Sequence, residues 1–250
     1  MIIIAKAEKV DDALFEYHLE LVSFIKNKIK NIACRKIVEI GSGPGTFTLP
    51  LLKEFGGNFE IFYCIDSYLG PYSKDRQVLE TKLAAKDIRN KVKIIEKNAL
   101  EMDSLLSEID LVIGHEVFCT LSPKHLRRVI SVCYNVLGPG GRLIHSDFAP
   151  FALNRSEELV QIINDYSEED LSEIPWFSPP AEELAKISYK CGFREINLDY
   201  IKLPIKFKNT AALGLLRRWQ TKNEFIDKYH AELTEFGIEF PMEQILYCRK

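Results

Sequence analysis

The chain has 250 residues, with 33 lysines and arginines against 36 aspartates and glutamates, a formal net charge of -3. That length suits one large α/β domain or two small ones, and it allows a substantial core without disulfides or metals. The charge balance gives no electrostatic argument for nucleic acid or an anionic membrane as partner.

Leu14, His18 (through its partly apolar ring), Leu21, Ile25 and Ile29 recur at helical spacing, so the chain opens with an amphipathic helix. Asp11 or Asp12 caps its start, and the basic "KNKIKN" suits its end. The apolar run Met1 to Ala5 before it is too short for a signal sequence or a membrane span. "IVEIGSGPGTF" (37–47) then runs an apolar strand into three glycines. Thr46 to Phe55 reads as a helix stopped by Gly56-Gly57, and "FEIFYCID" as a second strand ending in Asp66. Residues 72–88 read as helix, "KVKIIEKN" as a third strand and "IDLVIG" as a fourth. Pro123 starts a helix that reaches about Leu137; "GPGG" breaks it, and "RLIHSDF" is the fifth strand. A helix over 178–191 follows, then one alternating strand "REINLDYIKLPI", a long helical stretch from Thr210 to Phe236, and a closing strand "EQILYCRK". Strands alternating with helices predict a doubly wound, mostly parallel sheet covered on both faces. The six cysteines (Cys34, Cys64, Cys119, Cys133, Cys191, Cys248) form no C-x-x-C pair. They read as buried reduced thiols; no metal site is expected, and a cytoplasmic protein is.

In such a sheet, ligands bind beyond the carboxyl ends of the strands. Gly41, Gly43 and Gly45 lie at the end of the first strand, where missing side chains let a ligand approach the backbone. Asp66 ends the second strand, where a carboxylate can accept bonds from both ribose hydroxyls. The pair points to a ligand containing a nucleoside. The spacing is G-x-G-x-G with Thr46 next, not the G-x-G-x-x-G of a dinucleotide site, and no lysine follows for a phosphate loop.

"VEIGSGPGTFT" resembles the first motif of the class I S-adenosylmethionine-dependent methyltransferases of small-molecule type. Asp66, "KNALEM" (97–102) and the segment from "IDLVIGHEVFCT" to "GPGGRLIHSDF" resemble later landmarks in the same order, so the likeness covers about residues 35–148. It implies a seven-stranded Rossmann-like methyltransferase fold with an antiparallel last strand. It implies one domain over 1–250: an N-terminal helical cap segment at 1–34, a cofactor-binding core at 35–149, and cap insertions at 150–177 and 204–236. It also implies S-adenosylmethionine as cofactor and S-adenosylhomocysteine (SAH) as product. Gly41, Ser42, Gly43 and Gly45 would lie along the methionine part, with Glu39 holding its ammonium. Asp66 and Ser67 would sit at the ribose. Asn98 and Ala99 would flank the adenine, although the family often has Asp where Asn98 stands. His115 and Glu116 would reach the sulfonium and the nucleophile.

The loop "GHEVFC" lacks the Asp/Asn-Pro-Pro-aromatic motif that resembling enzymes use on base amines, and lacks a Pro-Cys nucleophile. A small-molecule acceptor, through O, N, S or C, is therefore expected, with His115 as candidate general base and His145 as its competitor. Tyr17, His18, Trp176, Phe177 and Trp219 are candidates for the substrate wall or for plain core packing. "LLRRWQTK" (215–222) reads as a solvated face rather than an RNA contact. The apolar face of the first helix suits a homodimer as well as a lid. A non-catalytic cofactor-binding subunit and a nicotinamide-dependent oxidoreductase are the alternative classes.

Overall fold

The computed structural model describes residues 3–5, 10–29, 34–69, 73–84, 89–163, 179–219 and 221–250. In chain order the elements are β1 (Ile3–Ala5), α1 (Val10–Lys28), β2 (Lys36–Ile40), α2 (Thr48–Phe55), β3 (Ile61–Asp66), α3 (Asp75–Ala84), β4 (Val92–Glu96), β5 (Ile109–His115), α4 (Pro123–Val136) and β6 (Leu137–Phe148). They continue with α5 (Arg155–Ile163), α6 (Ala181–Lys190), β7 (Arg194–Ile201), β8 (Ile205–Phe207), α7 (Thr210–Arg218), α8 (Asn223–Lys228), α9 (His230–Glu235), β9 (Ile238–Glu239) and β10 (Glu243–Arg249).

Seven strands form one sheet in the order β4-β3-β2-β5-β6-β10-β7. The first five run parallel, and β10 runs antiparallel to both β6 and β7. This is the doubly wound, seven-stranded sheet expected from the sequence, antiparallel last strand included. The strands are apolar on both faces because helices cover both. Ile37, Leu111 and Ile113 pack with α1, α2 and α3, whereas Val38, Ile40 and Val112 pack with α4 and Leu184 of α6. The order of strands reverses at β2, whose neighbours are β3 and β5, so the crevice of the fold opens at the end of β2.

Several boundaries differ from the sequence reading, each for a local reason. Asp11 and Asp12 lie inside the first turn of α1, where they complement the helix dipole instead of capping it. "GPGG" follows the end of the helix at Val136, as expected, but it belongs to the fifth strand, which starts at Leu137 rather than Arg142. The Gly140 N–H donates to the Lys250 carbonyl (3.2 Å) and the Lys250 N–H to that of Gly141 (2.9 Å), so β6 continues through the glycines with a register shift against β5. The strand expected over 194–205 divides before Pro204, which has no N–H for a ladder. Its second part, β8, joins an unforeseen three-stranded sheet, β1-β8-β9, in which the short apolar run at the N-terminus is a strand. The long helix expected over 210–236 is three short ones. The first ends where the Thr221 N–H folds back to the Leu216 carbonyl (3.0 Å). Among the described residues, no helix is long and apolar enough to cross a membrane.

α1 belongs to the main core. Leu21 and Val22 are fully buried in the same cluster as α2, α7 and the central strands. We expect Leu21→Ala to lower stability by about 2–5 kcal/mol, the range for deleting a buried leucine side chain. The urea midpoint of unfolding measures this, and an unchanged midpoint would show that α1 is peripheral.

Candidate active site

β2 enters a turn tied to its neighbours on both sides. The Gly41 N–H donates to the Ile65 carbonyl (2.8 Å), and the Gly45 N–H to that of Ser42 (2.9 Å). Gly41 and Gly45 have φ of 70° and 81°, where side chains are strained. A Cβ on Gly41 would stand 2.3 Å from Val117 Cγ2, and one on Gly45 would stand 2.7 Å from Leu79 Cδ1. The close approach at these two glycines is therefore made by the protein itself. Gly43 differs, since a Cβ there would meet only Asp75 Oδ2, at 3.8 Å.

Asp66 fastens this turn to the end of β3. Its Oδ2 accepts from the Gly43 N–H and its Oδ1 from the Tyr68 N–H, each at 2.9 Å. Ser67 lies half-buried between them, and the buried Tyr68 places its hydroxyl 3.0 Å from Ser42 Oγ. Asn98 caps the short 3₁₀ helix Ala99–Ser104 by accepting from the Leu100 N–H (2.9 Å). Glu39 is 1% exposed, and neither carboxylate oxygen has a partner in good hydrogen-bond geometry, although the Thr48 hydroxyl is nearby. Burial raises its pKa to about 8; the Thr48 hydroxyl pulls it back and Asp66 pushes it further up.

A second group of buried polar side chains gathers where β5 and β6 end and β10 begins. His115 Nδ1 lies 3.0 Å from Ser146 Oγ and 3.9 Å from Glu243 Oε2. Its Nε2 lies 3.2 Å from Nε2 of His18 on α1, so one ring of the pair must carry the proton between them. Both ring nitrogens of His115 are thus engaged. Burial holds its pKa well below the ordinary histidine value, with His18 and His145 adding to the effect. Tyr17, one residue before His18, donates its hydroxyl to Glu243 Oε1 (2.6 Å). The Phe47 ring lies 5.0 Å from that of His115.

His145 is fixed in one tautomer. The Phe118 N–H donates to its Nε2 (3.2 Å), so its proton sits on Nδ1, 3.4 Å from Asp147 Oδ2, and its ring stacks 3.5 Å from that of Phe118. Burial lowers its pKa to about 3, so it stays neutral and holds no free lone pair for a substrate. Burial also raises the Cys119 thiol well above its usual range, so no thiolate nucleophile is present there.

The structure brings Glu39, Gly41, Ser42, Gly43, Gly45, Asp66 and Ser67 to one edge of the sheet, with Asn98 and Ala99 beyond β4 and His115 beyond β5. Tyr17 and His18 are buried at this edge. Trp219 instead stacks on Phe240, and Trp176 and Phe177 lie outside the described residues. In "LLRRWQTK", Arg217 is exposed, while Arg218 pairs with Asp11 and donates to Thr46 Oγ1 (3.0 Å), tying α7 to the glycine turn. Tyr68, Ser146, Asp147 and Glu243 were not singled out from the sequence. Tyr68 and Asp147 carried a signal in following or ending strands already identified, whereas nothing local marked Glu243.

Residues 38–143 match a family described as a methyltransferase domain. The match runs from β2 into β6. Solved structures agree with this at the level of the fold. An S-adenosylmethionine-dependent methyltransferase from Archaeoglobus fulgidus aligns with a TM-score of 0.56 at 18% identity, over 93% of this chain and 94% of that one. A cyclopropane-fatty-acyl-phospholipid synthase-like protein from Lactobacillus casei aligns with a TM-score of 0.64 at 12% identity, over 97% and 92%. The magnesium protoporphyrin IX methyltransferase from Synechocystis, with bound SAH, aligns with a TM-score of 0.55 at 16% identity, over 94% and 83%. No curated protein matches the sequence. Among the described residues, no group of His, Cys, Asp and Glu side chains is arranged to hold a metal ion.

The buried Glu39 makes stability depend on pH. Its folded pKa of about 8 lies above the ordinary 4.5, so between these values the folded protein holds a proton that the unfolded chain has released. Its contribution to stability is therefore lost as pH rises through that window. We expect Glu39→Gln to raise the melting temperature of the ligand-free protein at pH 8, with the gain shrinking towards pH 4.5. Thermal scans of both proteins across that range check this.

Proposed function

We propose that the chain transfers a methyl group from S-adenosylmethionine to a small-molecule nucleophile. The observation that carries this reading is Glu39: a buried carboxylate with two unpartnered oxygens, at the strand end beside a glycine turn, lacks only a cation. The ammonium of the cofactor's methionine part supplies one. Gly43, the open position of the turn, lets the methionine part lie against the backbone, with Gly41, Ser42 and Gly45 shaping the turn around it. Each Asp66 oxygen already accepts one backbone N–H and keeps a further lone pair for a ribose hydroxyl, with Ser67 alongside. Asn98 and Ala99 open the 3₁₀ helix after β4, where they would flank the adenine.

When bound, the cofactor supplies a methyl group on a sulfonium, electrophilic enough that alignment and exclusion of water provide much of the rate. This chain aligns the reactants with the ends of β5 and β6 and with α1, whose Tyr17 and His18 close the site from above. His115, held between Ser146 and His18, serves to orient that wall rather than to take a proton from the acceptor. We assign α1, the segment containing α5, and 204–236 to a cap over the cofactor-binding core. The six thiols stand unpaired. They fit the cytoplasmic, disulfide-free protein expected from the sequence.

Calorimetry with S-adenosylmethionine, SAH and NADH tests the reading. Binding of the first two and not of NADH is expected, and binding of NADH alone would overturn it. Asp66→Ala is expected to weaken SAH binding by about 1–3 kcal/mol, roughly ten- to a hundredfold, the range for a lost charged hydrogen bond. An unchanged affinity would remove Asp66 from the ribose site.

A further inference from the structure

Tyr68, just past the end of β3, stands in a conformation that its residue type does not favour. Its φ is 48°, and of the described non-glycine residues with positive φ it alone is both aromatic and buried. Such a backbone is strained for a bulky side chain and persists only where its surroundings fix it. Two contacts do so here. The Tyr68 N–H donates to Asp66 Oδ1 (2.9 Å), and its hydroxyl lies 3.0 Å from Ser42 Oγ in a buried pair. Packing alone would be met by a phenylalanine, whose ring fills the same space. What the tyrosine adds is the link to Ser42.

That link closes a ring. Asp66 Oδ2 accepts from the N–H of Gly43, the residue after Ser42, so adjacent residues of the glycine turn are fastened by the short stretch 66–68. The rest of the turn is tied to other elements: Lys82 Nζ donates to the Pro44 carbonyl (2.8 Å) and Arg218 to Thr46 Oγ1 (3.0 Å). The peptide between Ser42 and Gly43 therefore has its position set by Tyr68 and Asp66 together. Gly43 is also the open position of the turn, where a ligand can reach the backbone. We propose that Tyr68 is a positioning residue for the cofactor. Through Ser42 it holds the turn in the shape that receives the methionine part, at a fixed offset from the carboxylate that receives the ribose. This rests on the methyltransferase reading and deepens it.

A turn held in its binding shape before the ligand arrives shows as affinity, because binding then does not have to order it. The gain falls only on ligands that use the held part. SAH spans both halves of the site. Methylthioadenosine carries the same adenosine and thioether but no amino-acid part, so it engages the Asp66 side and leaves the turn free. Removing the Tyr68 hydroxyl keeps the backbone link to Asp66 and breaks only the link to Ser42. SAH is therefore weakened and methylthioadenosine spared. A residue that merely stabilised the fold would affect the two ligands alike.

Calorimetry of the full chain with SAH and with methylthioadenosine tests this in the wild type, Tyr68→Phe, Ser42→Ala and the double variant. Tyr68→Phe is expected to weaken SAH about three- to tenfold, the range for one uncharged hydrogen bond, and to change methylthioadenosine by less than about twofold. Ser42→Ala removes the same link from its other end and should give the same split. The double variant should lose no more than either single one, because both delete one interaction. Equal losses for the two ligands, an unchanged SAH affinity, or losses that add in the double variant would overturn the role of Tyr68 and leave the cofactor reading intact. Wild-type protein that binds neither ligand would instead overturn the cofactor reading, and this proposal with it.

Discussion

Everything in the site depends on the direction of the strands. β2, β3, β5 and β6 run parallel, so their carboxyl ends meet at one edge, and antiparallel β10 begins at that same edge. Residues far apart in the chain are thereby delivered together: Gly43 and Asp66 at the glycine turn, and His115, Ser146 and Glu243 further along the same edge. Register holds them there. Glu39 lies level with Cys64 and Ile113, in strands buried on both faces, where a slip of one residue would exchange the two cores. The apolar strands are thus what makes a fixed polar edge possible.

That edge departs from the rule that buried polar groups are satisfied. Glu39, Asp147 and Glu243 all keep oxygens without partners in the interior. Each destabilises the ligand-free protein, and two large apolar cores offset that cost. Elsewhere the same chain satisfies its buried charge. Glu157 accepts from the Leu153 N–H, the Asn154 amide and Lys202. The contrast separates a buried carboxylate that is fully paired from three that keep unpaired oxygens. It also explains why the histidines are neutral: low dielectric disfavours a second kind of charge as strongly as the first.

Much of this was legible in the sequence because it is local. A strand, a glycine turn, a helix and an acidic strand end follow one another over a short span, and the residues that shape this edge of the sheet are those that define these elements. The later half was harder to read. The glycines of "GPGG" signal a break, yet their backbone groups are paired by Lys250 at the other end of the chain, which no local pattern reveals. Ile3–Ala5 becomes a strand only because Ile205–Phe207 lies beside it. Glu243 was invisible for the same reason. A glutamate opening a strand reads as a solvated end until a tyrosine 226 positions earlier is laid against it. The misread boundaries share one cause, a long-range partner overriding local propensity.

The same long-range dependence bears on which part of the chain sets specificity. The family match spans residues 38–143, which includes Glu116 but neither Tyr17, His18, Asp147 nor Glu243. The glycine turn and Asp66 therefore lie within the matched region, whereas the buried polar groups of α1, the end of β6 and the start of β10 lie outside it. Tyr17, Leu21 and Ile25 share one buried face of α1, which fixes the helix to the core and brings the Tyr17 hydroxyl and the His18 ring to the polar groups at the strand ends. Arg218 adds a further tie, joining the first turn of α1 to Thr46 beside the glycine turn. The glycine turn and the polar groups of α1 and β10 come from separate stretches of sequence that meet only in the folded protein.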